Sequence, residues 1–581
     1  MTIFVARTAS RRSGVRGGVL TAHALWRLLV LAGIFGLFLL LIIGRLTTLA
    51  LFESTRAFGA TTTDYIPDRG DILDRNGVPL ARTIQAYSIW IKPDKILGNK
   101  KQLAKELTAI FPDTPESSFY QKLTSKKQGY LRQRALPAEV RRVHDLGEIA
   151  IEFPREAERL YPQHELAAHA IGFLDRDGKG ALGIERMLDA ELRDPAKRGK
   201  PVSLAIDIRV QGALEIELAR GMEDTDAKGA AGVILDAQTG EVLAMATLPA
   251  FDPNRPLFTK TTEQTLQPGS NLTDRIPIER QVNSVTNQVY ELGSTFKPLT
   301  VAAALDAGSV RNLAIRYDAT VPLEIGGFKI RDLHPTKRWL NVPETLVHSS
   351  NIVTARIADN LGPEGMAKML RDIGFHEKPA IEIGERAKPI WPRNWGRITN
   401  MTVGYGHGIA VTPMHLANAY AAMVNGGIWR PATLIKVAGD RKHLERRVFS
   451  ASTSARMRQL LRMIVVDGTG KNADAAGYRV GGKTGSAEKP SDGSYSRSLL
   501  VATFAAAFPM DNPRYVMVAM LDEPKGAAAS GFQRTAGLTA APIIKKTVTR
   551  IGPLLGIIPD IKRDVDVSEL TPLLWTPKGG G

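Results

Sequence analysis

With 581 residues, 44% of them hydrophobic and 23% charged, the chain is globular and too long for one ordinary core, so two or more domains are expected. The absence of cysteine excludes a disulfide scaffold, thiolate metal sites and a cysteine nucleophile. The formal charge of +17 invites a nucleic-acid partner, but no nucleic-acid-binding motif accompanies it, and a basic surface beside anionic lipid and anionic polymer accounts for it.

Part of that excess opens the chain: Arg7, Arg11, Arg12, Arg16 and Arg27 have no acid among them. From Leu28 to Gly44 the sequence then runs without a charge, Trp26 stands at its start, and apolar character resumes beyond Arg45 as LTTLALF. This reaches the roughly 20 residues that cross a hydrocarbon core of about 30 Å. A cationic leader predicts a cytoplasmic N-terminus and export of the chain beyond Phe52. The competing reading, a cleaved signal peptide, calls for an apolar run of about 7–15 residues and a small-residue cleavage site. Here the run is longer and no clean A-x-A follows at the expected distance, so an uncleaved anchor over residues 25–52 is expected behind a basic tail at 1–24.

Residues 54–222 read as a mixed, irregular first domain. Turn signals at Asp68-Arg69-Gly70 and Asp74-Arg75-Asn76-Gly77 bracket short apolar stretches and predict strands. Residues from about 100 to 160 are charged and helical in texture. From Gly178 to Asp194 a glycine-rich turn precedes an amphipathic helix. No catalytic constellation appears, and His164 and His169 read as surface or packing residues because no third metal ligand lies nearby.

A second domain is predicted over 226–556, with a tail at 557–581. Gly232–Leu235 and Glu241–Thr247 form a hairpin through Asp236–Gly240. Far downstream, SLLVATFAAAFPM and YVMVAMLDEP flank the turn Asp511-Asn512-Pro513-Arg514, and YRVGGKTGSAE is a glycine-containing strand ahead of them. A helix at Ala540–Arg550 comes next. Five strands from both ends of the domain, with a helical middle, predict an antiparallel sheet flanked by helices in the α/β (α+β) class.

Three short motifs carry chemistry. In YELGSTFKPLTVAAALDAG, a helix from about Thr295 to Leu305 places Ser294 and Lys297 on one face at its start. A serine hydroxyl needs a base, and a lysine serves if desolvation or a second cation lowers its pKa. Alone the pattern is weak, since Ser486 and Lys489 repeat the spacing. In HSSNIVTARIADNLG, Ser349 and Asn351 form S-x-N before an amphipathic helix, where plain helix capping is the simpler explanation. The third is Lys483-Thr484-Gly485-Ser486 on a strand. Gly481, Gly482 and Gly485 weaken a strand unless something approaches its backbone closely. A second lysine there would repel the first and attract a carboxylate.

In this order, S-x-x-K, S-x-N and K-T-G resemble the signature set of penicillin-binding proteins and serine β-lactamases. PDRGDILDRNG and ALGIERMLDAELRD are similar to stretches of the non-catalytic pedestal of class B penicillin-binding proteins. VGYGHGIAVTP, VVDGTG and GYRVGGKTGSA resemble the septal, division-specific branch (the FtsI group), as does asparagine at position 351. The match departs at Ser486, where threonine is commoner, and over SGFQRTAGLTAAP. The resemblance implies a serine D,D-transpeptidase that binds D-Ala-D-Ala stem peptides of peptidoglycan and β-lactams, with no metal or cofactor. Ser294 would be the nucleophile, Lys297 the proton acceptor (either lysine being a candidate base) and Ser349 the relay to the leaving amine. Asn351 would hold the substrate amide, while Lys483, Thr484 and Ser486 orient the terminal carboxylate around Gly485. The backbone amides of Ser294 and Ser486 would receive the oxyanion. It implies an inner-membrane location with a periplasmic catalytic domain, beside a lipid-II-polymerising glycosyltransferase and other division proteins. A β-lactamase, a D,D-carboxypeptidase and a β-lactam-binding scaffold with dispensable chemistry share these motifs.

Overall fold

The computed structural model describes residues 16–48, 68–175, 177–255, 281–437, 444–491, 494–526, 528 and 531–575. Residues 1–66 and 67–581 form separate units. In the first, helix α1 (Arg16–Thr48) contains the stretch Trp26–Gly44, with mean hydropathy 2.6 and none of it buried within the chain. By length and composition this one helix is compatible with a single-pass membrane anchor. The expected span beyond Thr48, the tail before Arg16 and the segment 54–67 lie outside the described residues.

The second unit begins with a six-stranded sheet. β1 (Ile72–Leu73) and β2 (Pro79–Ile91) pair antiparallel around the expected turn, where the Asp74 carboxylate accepts from the amides of Asn76 and Val78 at 2.8 Å each. The long β2 also pairs with β3 (Gly129–Ala135), β4 (Ile151–Glu152) and β5 (Arg155–Leu160), and β1 pairs in parallel with β6 (Val202–Ser203). The stretch from 100 to 160 is therefore part strand, with helices at Lys100–Ile110, Glu116–Thr124 and Pro137–His144. The helix expected before Asp194 is broken at Leu188 into Gly183–Met187 and Asp189–Arg193.

That break brings two distant stretches together. Glu185, fully buried, receives Arg69 Nε and Arg159 Nε at 2.7 Å each, while Arg69 Nη1 reaches Asp189 at 2.6 Å. One carboxylate between two buried guanidiniums leaves uncompensated charge if it is removed. Glu185→Ala should therefore lower stability by about 3–5 kcal/mol in chemical unfolding, and a change below about 1 kcal/mol would contradict that role.

Helix α2 (Ile208–Asp224), capped by the Asp207 side chain, leads into a five-stranded antiparallel sheet. Its order is β9 (Gly481–Ser491), β10 (Ser494–Phe508), β11 (Tyr515–Asp522), β7 (Gly229–Asp236) and β8 (Val242–Leu248). Successive side chains point to opposite faces, and both faces are covered. Ile234, Phe504 and Phe508 meet α2 and α8 (Ala540–Leu554) through Leu214, Leu218, Ile544 and Val548. Val233, Leu235, Val518 and Met520 join a larger core with α3 (Lys297–Asp306), α5 (Asn351–Asp372), α6 (Pro413–Val424) and α7 (Ala451–Asp467). The strand carrying Lys483 lies at the sheet edge, facing the helical layer.

Candidate active site

The turn holding Ser294 differs from expectation. Gly293–Phe296 is a 3-10 turn, and the α-helix starts only at Lys297, with Pro298 in its first turn where a missing amide is tolerated. Ser294 and Lys297 still sit one turn apart. Ser294 is half-buried and Lys297 fully buried. Tyr420 Oη fixes the turn from behind by donating to the Thr295 carbonyl at 2.8 Å.

Two glycines let neighbouring backbones close on this turn. A Cβ on Gly485 would lie 2.4 Å from the Leu292 carbonyl and 2.8 Å from Thr295 Cγ2, so the edge strand touches the Ser294 turn directly. Gly406, at φ +86°, would place a Cβ 2.2 Å from the Gly293 carbonyl. Its loop is tied to the same turn by Glu291, which pairs with His407 Nδ1 at 2.8 Å and accepts from the Gly408 amide. The 403–413 stretch, notable in the sequence only for its likeness, thus backs the serine.

Ser349 faces the turn from the opposite side. Lys297 Nζ donates to its carbonyl and, at 3.1 Å, to its Oγ. The helix-capping explanation attaches to its neighbour: Ser350 Oγ caps α5, receiving the Val353 amide, while Asn351 is the first helical residue. Asn351 Nδ2 donates to the Arg331 carbonyl at 2.8 Å. Ser349 has φ +59°, a conformation that costs a non-glycine residue of order 1–3 kcal/mol and persists only where its surroundings impose it. Asp332 supplies part of that constraint, accepting from the Asn351 and Ile352 amides at 2.6 and 3.0 Å and from Ser350 Oγ at 2.8 Å. Nothing in the sequence singled out Asp332, which lies far from any motif and is placed by the fold alone.

Lys483 is fully buried on β9 and donates to Thr484 Oγ1 and the Thr484 carbonyl, at 3.1 Å each. Thr469 Oγ1 lies 2.9 Å from Thr484 Oγ1 and 3.5 Å from Lys483 Nζ, a third hydroxyl that sequence reasoning missed although it sits in VVDGTG. The Ser486 hydroxyl accepts from the Ala536 amide at 3.0 Å, which leaves its O–H proton to donate and a second lone pair to accept. The wall of the site therefore presents Lys297, Lys483 and a row of hydroxyls.

Both lysines are held below their ordinary range, for different reasons. Burial lowers Lys297 to about 7, opposed by the Asp332 carboxylate. Burial and then the charge of Lys297 lower Lys483 well below its usual value. The repulsion expected to depress Lys297 thus falls on Lys483. A buried lysine near neutrality with a serine one turn away and a second serine hydroxyl on its amine brings together the kinds of group that activate a serine nucleophile.

The match to known families agrees with this geometry. Residues 230–549 fit the penicillin-binding protein transpeptidase domain, and residues 65–200 fit the penicillin-binding protein dimerisation domain. The chain belongs to the penicillin-binding protein transpeptidase family. Among its relatives, the probable peptidoglycan D,D-transpeptidase FtsI of Caulobacter vibrioides is 37% identical over 518 residues, covering 87% of this chain and 85% of that one. The peptidoglycan D,D-transpeptidase FtsI of Escherichia coli K12 is 28% identical, with 94% of each chain covered. The crystal structure of penicillin binding protein 3 from Mycobacterium tuberculosis, complexed with aztreonam, superposes with a TM-score of 0.62 at 25% identity, covering 85% of this chain and 97% of that one.

Proposed function

We propose that this chain is a serine D,D-transpeptidase that cross-links peptidoglycan stem peptides in septal wall synthesis and is acylated by β-lactams. The observation that carries the reading is the buried amine of Lys297, held near neutrality between the serine turn and Ser349 Oγ. Ser294 Oγ attacks the carbonyl of the penultimate D-alanine while its proton passes to neutral Lys297. The oxyanion rests on the amides of Ser294 and Ser486, each such donor being worth about 3–4 kcal/mol. The amide C–N bond then breaks, the proton on Lys297 passes through the Ser349 hydroxyl to the departing amine, and terminal D-alanine leaves. Asn351 holds the substrate amide, and Lys483, Thr484 and Ser486 orient its carboxylate. An amine of a second stem peptide attacks the ester, and Ser294 regains its proton. A β-lactam stops at the ester.

Incubating the detergent-solubilised chain with fluorescent penicillin, then with a two-stem substrate, tests the reading. Labelling plus a cross-linked dimer is expected. Labelling with hydrolysed monomer alone would make it a carboxypeptidase, rapid release of opened penicillin a β-lactamase, and labelling without any turnover a scaffold.

Residues 54–222 would serve as a pedestal below the catalytic domain at 226–556, with the N-terminus cytoplasmic and the catalytic domain periplasmic. Pedestal and anchor are the surfaces for a lipid-II-polymerising glycosyltransferase and other division proteins. The mature chain should keep Met1 or Thr2 and fractionate with the inner membrane. An N-terminus near residue 55 or 60 would show a cleaved leader instead. Exchanging Leu28–Leu46 for an unrelated spanning helix should spare acylation of Ser294 but weaken co-purification with the polymerase.

A further inference from the structure

The segment after α8 does not trail away. It runs outside α7, where Asp564 pairs with Arg462 at 2.6 Å, Gln459 Nε2 donates to the Asp566 carbonyl, and Leu570 is buried. It passes against α4 (Val342–Val347), the short helix that leads directly into Ser349. There Asn341 Nδ2 donates to the Leu573 carbonyl at 2.6 Å, and the Trp575 amide donates to Glu344 Oε1 at 3.0 Å. The Trp575 ring lies 5.0 Å from the guanidinium of Arg338, which itself pairs with Glu344.

These contacts converge on one buried carboxylate. Glu344 Oε2 also accepts from the Asn341 amide, and Asn341 Oδ1 receives the Glu344 amide, closing the cap of α4. A strap on Leu573 and Trp575 therefore fixes the N-terminus of a helix only six residues long, too short to hold its own position. Downstream, the Ser349 amide bonds to the Leu346 carbonyl and the Ser350 amide to Thr345, so α4 sets the strained Ser349 from one side while Asp332 sets it from the other. The same helix abuts the start of the 468–470 turn, because a Cβ on Gly468 would meet Val347 at 2.9 Å.

We infer that residues 570–575 are a C-terminal strap whose Leu573 and Trp575 position Ser349 for proton transfer, making Trp575, Asn341 and Glu344 positioning residues of the reaction. The inference rests on the transpeptidase reading and concerns the rate of ester formation rather than noncovalent binding. Misplacement of a proton relay by about 1 Å costs up to roughly a hundredfold in rate.

The test is stopped-flow acylation by a fluorescent β-lactam, resolved into the dissociation constant of the first complex and the acylation rate constant. Otherwise full-length chains ending at Thr571 and at Trp575 are compared with Trp575→Ala, Trp575→Phe and Asn341→Asp. Ending at Thr571 should slow acylation about ten- to a hundredfold with the dissociation constant unchanged. Ending at Trp575 should be silent, Trp575→Ala should slow the step, and Trp575→Phe should restore it. An unchanged rate constant in the chain ending at Thr571, or one that falls only with the folded fraction, would overturn the inference. Should that chain fail to fold, Asn341→Asp decides, since it keeps the acceptor for the Glu344 amide and removes the donor to Leu573. Unchanged acylation there overturns the strap equally. Absence of acylation in the unaltered chain would instead overturn the transpeptidase reading, and this inference with it.

Discussion

Ser294→Ala should abolish covalent labelling by penicillin and lower cross-linking by at least about four orders of magnitude, since a nucleophile acts as one unit with its base. The substitution removes a half-buried hydroxyl from a turn held by Tyr420, Gly406 and the edge strand, so the fold should be unaffected. Intact-mass analysis gives the answer directly. A labelled mass that survives in the alanine variant would move the nucleophile elsewhere, with Ser349 the first alternative because its hydroxyl accepts from the amine of Lys297 at 3.1 Å.

The second large effect is at that amine. Lys297→Ala should slow acylation by about 10^2–10^4-fold, the usual contribution of a positioned base. In the unaltered chain, acylation should rise with pH through about 7 as Lys297 loses its proton. The same shift fixes the sign of the stability change. The ordinary value of 10.5 applies to the unfolded chain, so between about 7 and 10.5 the unfolded state binds the extra proton and stability rises with pH. Below about 7 both states are protonated and this dependence is lost. Lys483, lowered in the same direction, adds to the rise. An acylation rate flat across neutrality in the native chain would exclude Lys297 as the base.

How far the sequence revealed this arrangement depended on whether a signal was local. The hairpins β7–β8 and β10–β11 were legible because continuous apolar runs flank polar turns. Strand β5, REAERL, was not: its charges read as helix texture, and only pairing along β2 makes it a strand. The glycines of β9 signalled a close approach but not its partner, which proved to be the serine turn for Gly485 and the neighbouring strand for Gly482. Ser294, Lys297, Ser349 and Lys483 were legible through motif order. Asp332, Thr469 and the contacts of Trp575 were not, because each acts through a tertiary neighbour that local spacing cannot disclose.

The sheet order has a consequence for how the chain is made. The central pair β7–β11 is clasped where Asp236, the last residue of β7, meets Arg514, the residue before β11, in a 2.6 Å ion pair across 278 positions of sequence. At synthesis rates of about 5–20 residues per second, β7 and β8 leave the ribosome tens of seconds before β11 exists. During that interval the β7–β8 hairpin carries an unpaired hydrophobic edge, which is a template for misassociation. The nascent chain needs shielding until β11 emerges. Stop codons anywhere upstream of Tyr515 should therefore yield products destroyed by proteases rather than partially active fragments.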